Sequence, residues 1–321
     1  MRKNLLLKVV LSIITLQALV SCTASAPQEN KTRLIVSYTK SWGDYTLLVA
    51  KEKGLFEKYG VEVEPVYYDG SSKIYPDLAA GQIDGGLIAI GDALGVDHNA
   101  HMKIIGVSDN GESDAIVGGP DINSIEDLKG KKIGILMGSQ YELMVTQMLQ
   151  SANVNIYDIT LTGIAPENSV NALRNNRVQA VYTWEPFLSE AISNGNKILY
   201  PKENLRLFPN MIVFNALIVK NRPEDVRSFL KAWFEAVEYR LLNPEETQAI
   251  AAKYLKVDVN DIAVNDNVKI LTLEENKIMF NPKGENSVFA TLRITSDYLI
   301  SIGSLAQKIN PLEILDPSYL P

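Results

Sequence analysis

The chain has 321 residues, with 31 Lys plus Arg against 38 Asp plus Glu, 46% hydrophobic residues, two histidines and one cysteine. That length and composition allow one large or two ordinary folded domains, and a formal charge of −7 argues against a nucleic-acid-binding face. One cysteine excludes an intramolecular disulfide, a Cys-based zinc site and an all-cysteine iron–sulfur cluster, and two histidines leave little for a His-based site, so neither metal nor cofactor is expected.

At the start, Arg2, Lys3 and Lys8 precede an apolar run from Val9 to Val20, interrupted by Ser12, Thr15 and Gln17. Its 12 residues are too few to cross roughly 30 Å of hydrocarbon, which takes about 20 helical residues. The run closes on Leu19-Val20-Ser21-Cys22, which resembles the lipobox of bacterial lipoproteins, where the peptide is cut before a cysteine that is then acylated. The resemblance implies a signal peptide over 1–21, lipidation of Cys22, and a location outside the cytoplasmic membrane (periplasm or cell surface) held by the lipid. An ordinary signal peptide with a chance cysteine is the other reading. Residues 22–32 are polar and contain Pro27; they are expected to form a flexible tether, of which Thr23 to Thr32 can reach at most about 33–36 Å.

From Arg33 onward, short β-rich runs alternate with helical ones, the pattern of βα units on a largely parallel sheet. Strands are expected at 33–38, 61–68, 85–90 and 102–108, with Pro65 placing the second at an edge or irregular position. Helices are expected at 45–58, 71–80 and 92–99. A second series follows strand 114–119. Ser124 and Asp127 suggest a capping box opening a short helix that Gly130 ends. Strands at 132–136, 158–164, 179–184 and 197–200 then alternate with helices at 140–152, 167–176 and 187–194. The apolar run 211–220 reads as a buried strand. In 223–242, Val226, Phe229, Leu230, Trp233, Phe234, Val237 and Leu241 keep helical spacing along one face. Helices at about 244–255, 274–280 and 286–305 close the chain. The expected architecture is α/β with two lobes: 33–120 and 211–321 form lobe I, 121–210 is lobe II, and two connections permit hinge motion.

In open α/β sheets the ligand crevice lies beyond the carboxyl ends of the strands. The residues found there are Ser41, Trp42 and Asp44, then Ser71 and Ser72, Asp92, Ser139 and Gln140, and Trp184 and Glu185. Gly70-Ser71-Ser72 and Gly138-Ser139 are candidate anion cradles, because free backbone N–H groups and the helix dipole favour negative charge at a helix start. Serine also serves there simply as a helix cap. Trp42 and Trp184 could wall a ligand's carbon skeleton or belong to the core. Glu185 or Asp44 could face a ligand ammonium group or be solvated or backbone-bonded acids. His98 and His101 share a helical spacing but lack a third ligand, and surface placement is expected for them. No residues assemble a nucleophile, a base and an oxyanion hole.

At these positions the sequence resembles the solute-binding lipoproteins of ABC importers for nitrate, sulfonates and taurine (NMT1/THI5-like), a group with relatives that bind thiamine-pyrimidine precursors. The resemblance is carried by LLVAKEKGLFEKYGVEVE (47–64), DLAAGQIDGG (77–86), SDAIVGG (113–119), SIEDLKGKKIGILMGS (124–139), ALRNNRVQAVYTWEPF (172–187) and RPEDVRSFLKAWFEA (222–236). It implies the type II periplasmic-binding fold, closing on a small polar or anionic solute and delivering it to a membrane permease and ATPase, without catalysis and as a monomer. By position it places Ser41, Trp42, Ser71, Ser72, Asp92, Ser139, Gln140, Trp184 and Glu185 in the pocket. The chain has Gly43-Asp44-Tyr45 where the family usually carries a proline after the first strand. A sensory module for a membrane kinase and a pyrimidine-synthesising enzyme on the same scaffold are the alternative functions.

Overall fold

The computed structural model describes residues 33–69, 73–96, 102–111, 114–184, 187–199, 209–262, 264, 268–284 and 286–321, without the side chains of Asp92, Gly95 and Val96. The signal segment, Cys22, the tether, Ser71, Ser72, His98, His101 and Glu185 lie outside the described residues.

The first half begins with strand β1 (Arg33–Tyr38), helices α1 (Tyr45–Glu52) and α2 (Leu55–Lys58), β2 (Glu62–Tyr67), α3 (Ile74–Ala79), β3 (Gly85–Ala89), α4 (Ile90–Val96) and β4 (Met102–Asp109). The single helix expected over 45–58 is broken at Gly54, whose left-handed backbone (φ 66°) turns the chain between α1 and α2. Gly tolerates that conformation because it has no Cβ. Next come β5 (Asp114–Gly118), β6 (Lys132–Ile135), α5 (Gln140–Ser151), β7 (Thr160–Gly163), α6 (Ser169–Arg174), β8 (Ala180–Trp184), α7 (Phe187–Ser193) and β9 (Lys197–Leu199). The expected capping box becomes a single 3-10 turn, Glu126–Leu128, in which the Asp127 carboxylate accepts the Asn123 and Ser124 N–H groups. After β10 (Asn210–Asn215) the chain is helical: α8 (Ala216–Asn221), α9 (Pro223–Leu242), α10 (Pro244–Leu255), α11 (Leu273–Met279), α12 (Val288–Ser301) and α13 (Pro311–Ile314).

The run 211–220 is therefore not one strand. Asn215 ends β10, and its side chain accepts the Leu217 N–H at 2.9 Å, capping α8. β-branched and apolar residues give both halves the same sequence signal, and a polar cap within the run decides the boundary.

Two five-stranded sheets result, ordered β2-β1-β3-β10-β4 and β7-β6-β8-β5-β9. Each mixes parallel pairs with one strand, β10 or β5, that runs antiparallel to both neighbours. Pro65 lies in β2, which occupies an edge of the first sheet. β5 pairs with β8 and β9, so the chain passes from the first sheet to the second between Asp109 and Asp114.

Lobe I has a core on each face of its sheet. On one face, Phe56, Phe214, Phe229 and Trp233 stack or meet edge to face at 5.0–6.0 Å, tying α2 and β10 to α9. On the other, Ile74, Leu94, Val213, Phe280 and Leu292 join α3, α4, α11 and α12. In lobe II, Val145 and Leu149 of α5 cover one face, and Val170, Leu173 and Leu188 cover the other. Among the described residues no helix is long and apolar enough to cross a membrane.

Candidate functional site

Strand direction fixes where the two lobes face one another. β5 starts where β8 ends, with Asp114 opposite Trp184. β10 starts where β3 and β4 end, with Asn210 opposite Ala89 and Asp109. Both crossings thus join the carboxyl edge of one sheet to the carboxyl edge of the other. The first runs from Asp109 to Asp114, five residue steps that reach at most about 18 Å, so these two edges lie near one another.

On the lobe I side, the loop after β1 is built from inside. Arg240 of α9 is buried, donating to Thr46 Oγ1 at 2.7 Å, to Trp42 O at 2.9 Å and to Gly43 O at 3.3 Å. Its guanidinium also lies 4.8 Å from the centroid of the Trp42 ring, a favourable cation–π arrangement. Trp42 is half-buried and meets Tyr45 edge-on at 5.9 Å, so it is both a core residue and a partly open surface. Ser41 Oγ is buried with no hydrogen-bond partner among the described residues.

Asp44 is almost wholly buried, and its Oδ2 accepts from the Thr39 N–H (2.7 Å) and hydroxyl (2.8 Å). It closes the loop on itself, the geometry of a backbone-bonded acid. Burial pushes its carboxyl up to about 7; the hydrogen bonds from Thr39 oppose this, Asp109 reinforces it and Arg240 opposes it. Asp109, at the end of β4, accepts from the Gly111 N–H, from Asn210 Nδ2 (both 2.8 Å) and from the Ser108 hydroxyl (2.9 Å). It therefore ties together the start of one crossing and the end of the other. Burial raises its carboxyl as well, against those hydrogen bonds and Arg240.

On the lobe II side, Ser139 caps α5: its hydroxyl accepts the Tyr141 N–H at 3.3 Å and donates to Leu136 O at 2.7 Å. Gln140 follows, 2% exposed, with its amide oxygen lacking a partner among the described residues. It packs on Gly91 of α4 so closely that a Cβ placed on Gly91 would lie 2.0 Å from Gln140 Oε1. Gln140 thus reaches across the crevice to lobe I. Trp184 is half-buried and stacks on Tyr141 at 4.7 Å and 26°. Behind it, Tyr182 donates to Asp114 Oδ2 at 2.5 Å.

The structure therefore brings Ser41, Trp42 and Asp44 to the lobe I edge and Ser139, Gln140 and Trp184 to the lobe II edge. Asp92 lies in α4, next to Gly91, without a described side chain. Sequence reasoning alone does not single out Arg240 and Asp109 as organisers. The signal for Arg240 was present: counting from Val226, Leu230, Trp233 and Val237, position 240 continues the apolar stripe. Leu241, expected on that face, is 52% exposed, and Arg240 is buried in its stead. Among the described residues no group of three or more His, Cys, Asp or Glu could hold a metal ion.

Two α/β lobes joined by two crossings, with strand ends facing across a crevice, define the periplasmic-binding-protein fold. Residues 45–247 match the NMT1/THI5 like family, and the chain belongs to that family. It is 29% identical over 285 residues to a Brucella abortus protein named "Putative binding protein", covering 87% of this chain and 88% of the relative. It is 27% identical over 288 residues to a Bacillus subtilis protein named "Putative aliphatic sulfonates-binding protein", covering 85% and 83%. Its fold is similar to the crystal structure of the periplasmic aliphatic sulphonate binding protein SsuA from Escherichia coli, with a TM-score of 0.72, 20% identity, and coverage of 88% of this chain and 91% of that one.

Proposed function

We propose that this chain is the extracytoplasmic solute-binding component of an ABC importer, taking a small polar or anionic solute with a sulfonate as first choice. It holds the solute between the two carboxyl edges and hands it unchanged to a permease and ATPase complex. The observation that carries the reading is Gln140, a buried amide at the start of α5 that spans the crevice with its oxygen unpartnered among the described residues. Leaving a buried polar atom unsatisfied costs about 1–3 kcal/mol, and a bound solute would relieve that cost.

In this reading the start of α5, capped by Ser139, faces the anionic group, and Ser41 contributes a hydroxyl from the opposite edge. Trp42 and Trp184 flank the solute's carbon skeleton. Asp44 shapes the loop that presents Ser41 and Trp42. Ser71, Ser72, Asp92 and Glu185 contribute from the remaining strand ends, with Glu185 taking an amine where the solute has one. Lipid on Cys22 anchors the chain, a monomer, to the membrane. Names given to relatives support the sulfonate class: the Bacillus subtilis and Escherichia coli proteins are both named for aliphatic sulfonates.

Thermal-shift screening against alkanesulfonates, taurine, nitrate, amino acids and pyrimidines tests this. A true solute at about 100 times its Kd adds about 2.7 kcal/mol of stability. Stabilisation by an alkanesulfonate is expected; a flat response across the panel would overturn the assignment.

A further inference from the structure

The crevice edge of lobe II is held from lobe I by two hydrogen bonds that no aspect of solute contact requires. Gly138, between β6 and α5, has a left-handed backbone (φ 75°), and both of its polar groups are engaged. Its N–H donates to Glu142 Oε1 at 2.5 Å, within its own turn. Its carbonyl accepts from the Ser304 hydroxyl at 2.8 Å, and Ser304 follows α12 in lobe I. The other carboxylate oxygen of Glu142 accepts from the Tyr298 hydroxyl of α12 at 3.2 Å. One five-residue turn, Gly138 to Glu142, is therefore fastened at both ends to α12 and the residues just after it. Leu143 and Met144, one turn further along α5, pack against the lobe I core formed by α3, α4, α11 and α12.

We infer that Tyr298 and Ser304 form a latch that favours the closed arrangement of the lobes by gripping the Gly138–Glu142 turn. Each bond joins residues more than 150 positions apart and on opposite lobes, so separation of the lobes breaks both together. Lobe motion about two crossings is the expected freedom of this fold, and cross-lobe bonds set the open–closed balance. The gripped turn also carries Ser139 and Gln140. If those residues bind the solute, as the function proposed above holds, the latch orders the binding turn and raises apparent affinity by raising the closed fraction.

The latch itself is tested without any solute. Full-length chain in a Cys22→Ser background carries spin labels at Lys231→Cys (α9, lobe I) and Gln150→Cys (α5, lobe II), both exposed positions. Pulsed electron–electron resonance then reads the distance between lobes. With Tyr298→Phe and Ser304→Ala combined, the two lost hydrogen bonds should raise the open-to-closed ratio about tenfold, seen as amplitude moving to longer distances. Tyr298→Phe alone, which keeps the ring and its packing, should give a smaller shift in the same direction. A distance distribution identical in all three proteins would overturn the latch. Because this readout needs no ligand, it stands or falls separately from the solute screen.

Discussion

Gly43 and Asp109 touch so closely that neither position has freedom. A Cβ built on Gly43 would lie 2.0 Å from Asp109 Oδ2 and 2.8 Å from its Cγ. Asp109 cannot swing aside, because Gly111, Asn210 and Ser108 all donate to its carboxylate. Gly43→Ala should therefore displace the loop that presents Trp42 and cost about 1–3 kcal/mol of stability by overpacking. The urea midpoint reads this directly; an unchanged midpoint would mean that the loop and the crossing are not locked together.

The same cluster predicts a pH dependence with a definite sign. Burial holds the Asp44 carboxyl up to about 7, far above its ordinary value of 3.8, and Asp109 is shifted in the same direction. An acid that binds its proton more tightly when folded favours the folded state at low pH, and that advantage is lost as the pH rises through about 7. Glu57, Asp127, Glu235, Glu246 and Glu275 are shifted downward, so their contribution is already complete above pH 5 or so. The urea midpoint should thus fall between pH 5.5 and pH 8. Asp44→Asn, which keeps an oxygen for the Thr39 donors, should flatten that fall; an equal slope in both proteins would assign the effect elsewhere.

Gln140→Ala separates a binding role from a structural one. Removing a buried oxygen that has no partner among the described residues removes a desolvation cost, so the solute-free protein should be as stable as the native chain or slightly more so. The same substitution should weaken solute binding by about tenfold, the worth of one or two hydrogen bonds. Thermal shifts with and without solute provide both readings. Loss of stability with unchanged affinity would make Gln140 a core residue.

Much of this arrangement was legible in the chain. Alternation of β-rich and helical runs placed the ten described strands to within a few residues, except that the last stops at Asn215, well short of 220; strand ends singled out Ser41, Trp42, Ser139, Gln140 and Trp184 as candidates. What escaped reading depended on contacts distant in sequence. A strand boundary at Asn215 rests on one capping bond inside an apolar run. Sheet membership of β5 rests on its pairing with β8, more than 60 residues on. Arg240 breaks the apolar stripe of α9 because its partners, Trp42, Gly43 and Thr46, arrive from nearly 200 positions away. Asp44 carries a carboxylate in any reading, but only the fold reveals that Thr39 occupies it.

The anchoring proposal has its own test. Cys22 is the chain's one cysteine, so a Cys22→Ser chain expressed in a bacterial host should lose incorporation of labelled palmitate and pass from the membrane to the soluble fraction. Equal membrane association of the two proteins would remove lipid as the anchor.

The account turns on a solute gripped between the facing strand ends, and a crystal structure of the chain grown with its best-stabilising solute examines that directly. The solute should lie between the 39–44 loop and the start of α5, within hydrogen-bond distance of Ser41 Oγ and the Gln140 amide, with its atoms unaltered. A solute bound elsewhere on the surface, or density for a transformed product in the crevice, would contradict the account.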